Sequence, residues 1–384
     1  MKNFQARTED KLRVLSNLTS YSLYKTKKLF SKKPELPKDI KNILIIELKR
    51  IGDIIVATPA IRALKKNFPD ANIDIVIPNG MGQVLEGNPN LNKIITWNSE
   101  KIEENYQDYL EDLKKTKYDL GIILHNGTYT VSKMLKEADI PYRIGCTRVG
   151  FKEPKGYFLT KQLLPDRKLK HKIDDNLDVL KLIDINSKDD SPEIFVSKKA
   201  ELSINKKLAE NKISSKDKVA VLHMVSWTHP TWFKERFAEL ADKLIENYKV
   251  KILFTGTNKE KDFIDSVKSL IVNKKDAVWL GEISIQELFA LINRGDITIG
   301  IDSSATNIAA ALNKPVVALF GAGDSEIWGP RSPKAISIQK KHEVCTACMK
   351  SQCKYNNDRN LECMKAISVD EILNAVYNLK TKHF

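Results

Sequence analysis

The chain has 384 residues, 42% of them apolar, which is more than one core normally accommodates, so two domains are expected. No apolar run approaches the roughly 18 residues that cross a bilayer, and the N-terminus, with Lys2, Arg7, Glu9, Asp10 and Lys11, has no signal-peptide core, so the expected location is cytoplasmic. A net charge of +14 leaves nucleic acid, an anionic membrane surface or an acidic substrate as partners.

Residues 1–38 hold ten Lys/Arg against three Asp/Glu, so half of the positive excess sits in one tail. There Leu12, Leu15, Leu18, Tyr21 and Tyr24 recur at near-helical spacing beside Lys25, Lys27, Lys28, Lys32 and Lys33. Such a helix either lies on anionic lipid at the inner membrane, making the protein peripheral, or packs on its own domain with a solvated basic face. Tail-localised charge without a recognised motif argues against nucleic acid.

Strand signals follow at 43–47, 73–77, 94–96, 119–124 and 142–144, with helical patterns at 54–67 and 100–116, the alternation of parallel βαβ units. Residues 145–170, rich in Gly, Lys and Pro, read as a long loop, followed by a helix over about 171–184. The polar stretch Ile185-Asn-Ser-Lys-Asp-Asp-Ser-Pro192 marks a boundary, giving an extension at 1–40, a domain at 41–190 and another at 191–384. The second domain shows strands near 218–223, 250–254, 277–280, 296–300 and 315–320, helices at 234–247, 258–271, 284–293 and 305–312, and a last helix over 368–379.

Two strand-to-helix turns carry the chemistry. In Ile43-Leu-Ile-Ile-Glu-Leu-Lys-Arg-Ile-Gly-Asp53 an apolar strand breaks at Gly52 and Asp53 and resumes as a helix, so Asp53 is either a general base at the carboxyl edge of a sheet or a helix cap. In Gly300-Ile-Asp-Ser-Ser-Ala-Thr-Asn307 a strand feeds a Ser/Thr-rich helix start, whose free amides and dipole suit a phosphate. A further loop, Gly321-Ala-Gly-Asp-Ser325, follows the next strand on the same edge.

Together these segments resemble glycosyltransferase family 9, the heptosyltransferases of lipopolysaccharide synthesis, over about residues 42–380. The N-terminal signature stands as Arg50, Ile51, Gly52, Asp53, Thr58 and Pro59, and the C-terminal one as Asp302, Ser303, Ser304, Asn307 and Ala309 to Leu312, ending in Pro315 and Gly321. The resemblance implies the GT-B fold, two Rossmann-like α/β domains whose parallel sheets face across a cleft, and inverting sugar transfer from a nucleoside-diphosphate donor, ADP-heptose being favoured, to a glycan or glycolipid acceptor.

It further implies Asp53 as base, with Lys49, Arg50, Gly52 and His125 at the acceptor. The donor falls to Ser226, His229, Thr257, Glu260, Asp302, Ser303, Ser304, Thr306, Asn307, Gly321, Ala322 and Gly323. Glu260 meets the ribose in this reading; an exposed Glu in a first helical turn is the ordinary alternative. The last helix crosses back to the N-terminal domain, again by resemblance. Two departures stand out: Pro230 occupies the place of a phosphate-binding Lys, and Asn307 that of a His. They keep open a different nucleotide-sugar, or a silent binding module with this fold.

No Asp-x-Asp occurs in the sequence, so catalysis is expected to need no metal and no cofactor. Cys345, Cys348, Cys353 and Cys363 form a C-x2-C-x4-C-x9-C arrangement that suits a structural Zn or Fe. Four reduced structural cysteines are the alternative.

Overall fold

The computed structural model describes residues 35–124, 129–146, 158–163, 170–226 and 230–383. The chain divides into two compact units between Asp189 and Asp190. Gln83–Asn88 and residues 170–172 group with the second unit, whereas the sequence reading assigns both stretches to the first.

The first unit is built on β1 (Asn42–Ile46), β2 (Asn72–Pro78), β3 (Lys93–Trp97), β4 (Leu120–Ile123), β5 (Tyr142–Cys146) and β6 (Lys161–Leu163). These form one parallel sheet in the order β3-β2-β1-β4-β5-β6. Helices cover both faces of such a sheet, which is why β1 and β4 read as unbroken apolar runs instead of alternating. The strand order reverses between β1 and β4, and the crevice beyond their carboxyl ends is the place where doubly wound sheets take ligands. Part of the expected 145–170 loop is strand: residues 145–146 complete β5, and β6 pairs parallel to it.

Helix Ile51–Asn67 follows β1. It begins at Ile51, so Gly52 and Asp53 lie inside the first turn and not in a turn before it. Pro59 sits mid-helix, where it cannot donate to the carbonyl of Ile55. The Thr58 hydroxyl donates to that carbonyl instead, at 2.7 Å, and Asn176 Nδ2 donates to the carbonyl of Val56 at 3.1 Å. The Thr-Pro of the signature therefore has a backbone role. Thr58→Val is expected to lower unfolding free energy by about 1–3 kcal/mol, the cost of stranding a buried acceptor, read from urea denaturation. Arg62 anchors the same helix through Asp189, Nη2 to Oδ1 at 2.6 Å, and this guanidinium holds the Asp189 carboxyl down at about 2.

The second unit repeats the winding with β7 (Lys218–His223), β8 (Val250–Thr255), β9 (Ala277–Trp279), β10 (Ile297–Ile301), β11 (Val316–Phe320) and β12 (Ala335–Gln339). The order is β12-β11-β10-β7-β8-β9, all parallel, with the reversal between β7 and β10. The two-unit α/β architecture is that of GT-B proteins.

The final helix, Val369–His383, stays with this unit instead of crossing back. Val369, Ile372, Val376 and Leu379 form a helical-period stripe buried in the unit's own core with Phe237, Leu240 and Leu244 of helix Lys234–Tyr248. Among the described residues no helix is long and apolar enough to cross a membrane. The expected lipid-binding stretch lies outside the described residues up to position 34.

Candidate functional site

On the first unit, the chain leaves β1 through fully buried Glu47 and exposed Lys49 and Arg50 and then reaches half-buried Asp53 in the following helix. The Arg50 backbone N–H donates to Asp53 Oδ2 at 3.2 Å. The capping alternative is thus realised, and it does not exclude proton transfer. A carboxylate in the first turn is favoured and fixed in direction by the helix N-terminus, which suits a base beside two exposed cations. His125, beyond β4, lies outside the described residues.

On the second unit the carboxyl ends of β7, β8, β10 and β11 gather the donor candidates. His223 closes β7, with ring Nδ1 2.8 Å from Thr255 Oγ1. Burial lowers its pKa against the opposing pull of the Glu260 carboxylate, so the imidazole stays neutral at physiological pH. Glu260 is buried and not exposed, and its Oε2 accepts from the Thr257 N–H at 2.6 Å, so the ordinary first-turn role is realised as a capping contact. A Cβ at Gly256 would stand 2.8 Å from that same oxygen, so only glycine lets Glu260 fold back under the loop.

After β10, burial pushes the Asp302 carboxyl up to about 7. Ser303 is extended, φ −158°, and precedes helix Ser304–Ala311 without a side-chain cap on that helix. Thr306 Oγ1 donates to the Ser303 carbonyl at 2.9 Å, and Asn307 is buried. The side-chain oxygen of Ser303 is buried with no hydrogen-bond partner among the described residues, whereas the Thr257 hydroxyl faces the Glu260 N–H in a capping box. Native proteins rarely leave buried hydroxyls unmatched, and each such group points to something that completes it.

Gly321, Ala322 and Gly323 follow β11 and are buried. Gln339 Nε2 donates to the Gly323 carbonyl at 2.6 Å, and Asp324 Oδ1 takes Lys341 Nζ at 2.7 Å. Ser226, after β7, is half-buried, and His229 lies outside the described residues. Every described donor candidate except Asn307, which lies one turn into its helix, therefore stands at a strand end or helix start of one sheet edge.

The sequence that builds this edge matches a family model, "Glycosyltransferase family 9 (heptosyltransferase)", over residues 108–358. The chain belongs to glycosyltransferase family 9. It is a glycosyltransferase by that membership, and the matched span contains the whole second-unit edge while beginning beyond Asp53. Among curated relatives, lipopolysaccharide heptosyltransferase 3 of Escherichia coli K12 is 24% identical over 338 residues, covering 85% of this chain and 95% of its own length. Among solved structures, a family 9 glycosyltransferase from Veillonella parvula is 23% identical with a TM-score of 0.77, covering 91% of this chain and all of that one. The E. coli ADP-heptose lipopolysaccharide heptosyltransferase II is 20% identical with a TM-score of 0.71, covering 89% and 99%.

Sequence reasoning missed two groups of this family 9 chain, half-buried His223 at the end of β7 and fully buried Glu47 just after β1. The signal available was a titratable residue at the carboxyl end of an apolar run. His171 and Asn176 have structural work: His171 Nε2 lies 2.8 Å from the Gly329 carbonyl, and Asn176 serves the proline helix.

Proposed function

We propose that the chain transfers heptose from ADP-heptose to a lipid-linked or cell-surface glycan, with inversion at the anomeric carbon. The observation that carries this reading is the unmatched buried hydroxyl of Ser303 beside an uncapped helix start at the reversal point of the second sheet. A nucleoside diphosphate supplies the missing partner. Its phosphates rest on the amides of residues 304–306 and the hydroxyls of Ser303, Ser304 and Thr306, and Glu260 and Thr257 meet the ribose side. The Gly321–Gly323 loop, Ser226, His229 and Asn307 complete the donor pocket in this reading. The adenine and heptose assignments draw on relatives whose names include ADP-heptose.

Asp53 takes the proton from the acceptor hydroxyl as that oxygen attacks the anomeric carbon, and the diphosphate leaves with the bonding pair. Lys49 and Arg50 hold acidic parts of the acceptor, with Gly52 and His125 beside it. The growing charge on the leaving group is met by fixed dipoles at the helix start, which need no rearrangement during reaction. The absence of any Asp-x-Asp in the sequence supports a metal-independent reaction. The basic residues of 1–38 bring the enzyme to the inner membrane surface, where a lipid-linked acceptor resides.

The test is the anomeric configuration of the product, read by NMR after incubation with ADP-heptose and a lipopolysaccharide core acceptor. An inverted linkage with ADP released is expected; a retained configuration overturns the Asp53 mechanism, and transfer only from another nucleotide-sugar replaces the donor.

A further inference from the structure

The four clustered cysteines are separate in sequence from the strand ends, yet the fold ties them to the donor loop. Cys345, Cys348, Cys353 and Cys363 line one small cavity, together with Ala322 of the loop after β11. Ala347 and Met349, which flank Cys348, and Leu361 all adopt left-handed backbone, φ 53°, 54° and 54°. Non-glycine residues hold that region only where surrounding structure demands it, and here it turns the chain so that the thiols share one space. The Leu361 N–H donates to Cys353 Sγ at 3.4 Å.

Charge points the same way. The cavity wall carries Lys350, Lys354 and Arg359 against one carboxylate, Glu362, which leaves two positive charges. Four thiolates around one divalent ion carry two negative charges. Among the described residues no three His, Cys, Asp or Glu are grouped so as to hold an ion with their atoms where they stand, so binding requires the thiols to turn inward on the cavity they line.

The segment that would carry the ion is bonded directly to the donor loop. The Ala347 N–H donates to the Gly321 carbonyl at 3.0 Å, and the Met349 N–H to the Ala322 carbonyl at 2.8 Å. Gly321 is packed so closely that a Cβ there would lie 3.1 Å from Cys363 Sγ and 2.3 Å from Met364 Sδ. Trp232 Nε1 donates to the Met364 carbonyl at 3.1 Å, and Arg236 Nη1 to the Lys365 carbonyl at 2.7 Å. The thiol segment therefore buttresses both the 321–323 loop and the start of helix Lys234–Tyr248.

We propose that Cys345, Cys348, Cys353 and Cys363 bind one thiophilic divalent cation, Zn²⁺ or Fe²⁺, as four thiolates, and that this closed centre clamps the Gly321–Gly323 loop in its donor-binding form. The thiols release their protons to solvent on binding, and no electron is transferred. All four positions are filled by protein, as in structural sites, so the ion touches no substrate. The cysteines are positioning residues, and their effect on donor affinity rests on the donor reading above; the ion site itself does not.

The full chain, purified without oxygen, is expected to hold about one Zn or Fe per molecule by elemental analysis. Iron gives thiolate charge-transfer absorption, whereas a colourless zinc protein gives intense visible bands after exchange with Co²⁺. Cys348→Ser, at the exposed thiol, is expected to lose the metal and weaken ADP binding about tenfold with circular dichroism unchanged, and Cys146→Ser to keep both. No stoichiometric metal together with no Co²⁺ uptake, or paired disulfides in the anaerobic protein, overturns the ion site. Metal loss in Cys348→Ser with wild-type ADP affinity overturns the clamp. Bound metal in a wild-type chain that binds no nucleotide overturns the donor reading and the clamp with it, and leaves the ion site standing.

Discussion

Asp53→Asn is expected to lower kcat for sugar transfer by about 100- to 10,000-fold, the usual contribution of a positioned general base, with donor Kd nearly unchanged. The substitution is informative because Asn keeps the amide oxygen that accepts the Arg50 N–H, so the helix start survives and only basicity is lost. Donor binding survives because the donor candidates lie on the second unit. Single-turnover kinetics on pre-bound donor, with ADP affinity measured alongside, separate the two effects. Wild-type turnover by the variant removes Asp53 from the chemistry and leaves it as a cap alone. A parallel loss of ADP affinity would instead mark the change as structural.

ADP affinity is expected to fall as pH rises above about 7, by up to tenfold per unit, and Asp302→Asn is expected to abolish that fall. Burial holds the Asp302 carboxyl at about 7, next to the proposed diphosphate position. Below that pH Asp302 is neutral and can donate a hydrogen bond to a phosphate oxygen; above it the carboxylate repels the anion. Bound diphosphate raises the pKa further, so binding takes up a proton and weakens with pH until the bound-state pKa is passed. The wild-type to variant ratio of Kd, measured by calorimetry over pH 5.5–9, cancels the nucleotide's own titration.

The same linkage acts on folding. The folded pKa lies above the ordinary 3.8, so the folded chain keeps a proton that the unfolded chain has released. Stability is therefore lost as pH rises from about 4 through about 7, and Asp302→Asn should remove that slope from urea midpoints.

The segments around 43–59 and 300–323 were legible because an apolar strand followed by a polar helix start is a local pattern, set by a few adjacent residues. The reversal of strand order was not local: it depends on β4 pairing with β1 and β10 with β7, and only the pairing shows why those two turns are the ligand-binding ones. Helix Lys198–Glu210 escaped notice because it buries only Ala200, Ile204 and Leu208, a stripe one residue wide among Lys and Glu. β12 is a half-exposed edge strand with Ser337 and Gln339 in it, so no apolar run announces it. The expected crossing of the last helix came from resemblance and not from its residues, whose stripe fits the second unit's own core. Cysteine spacing suggested an ion, but only the hydrogen bonds of Ala347 and Met349 to Gly321 and Ala322 connect that segment to the donor edge.

The central claim is that the second sheet's edge binds a nucleoside diphosphate through Ser303, Thr257 and the start of helix Ser304–Ala311. Thermal unfolding of the full chain with ADP, UDP, GDP, CMP or dTDP tests it most directly, because a ligand at about 100 times its Kd adds about 2.7 kcal/mol to the folded state. ADP is predicted to raise Tm above every other nucleotide, and Ser303→Ala to shrink that rise. No shift with any of the five, in protein confirmed to be folded, would contradict the account.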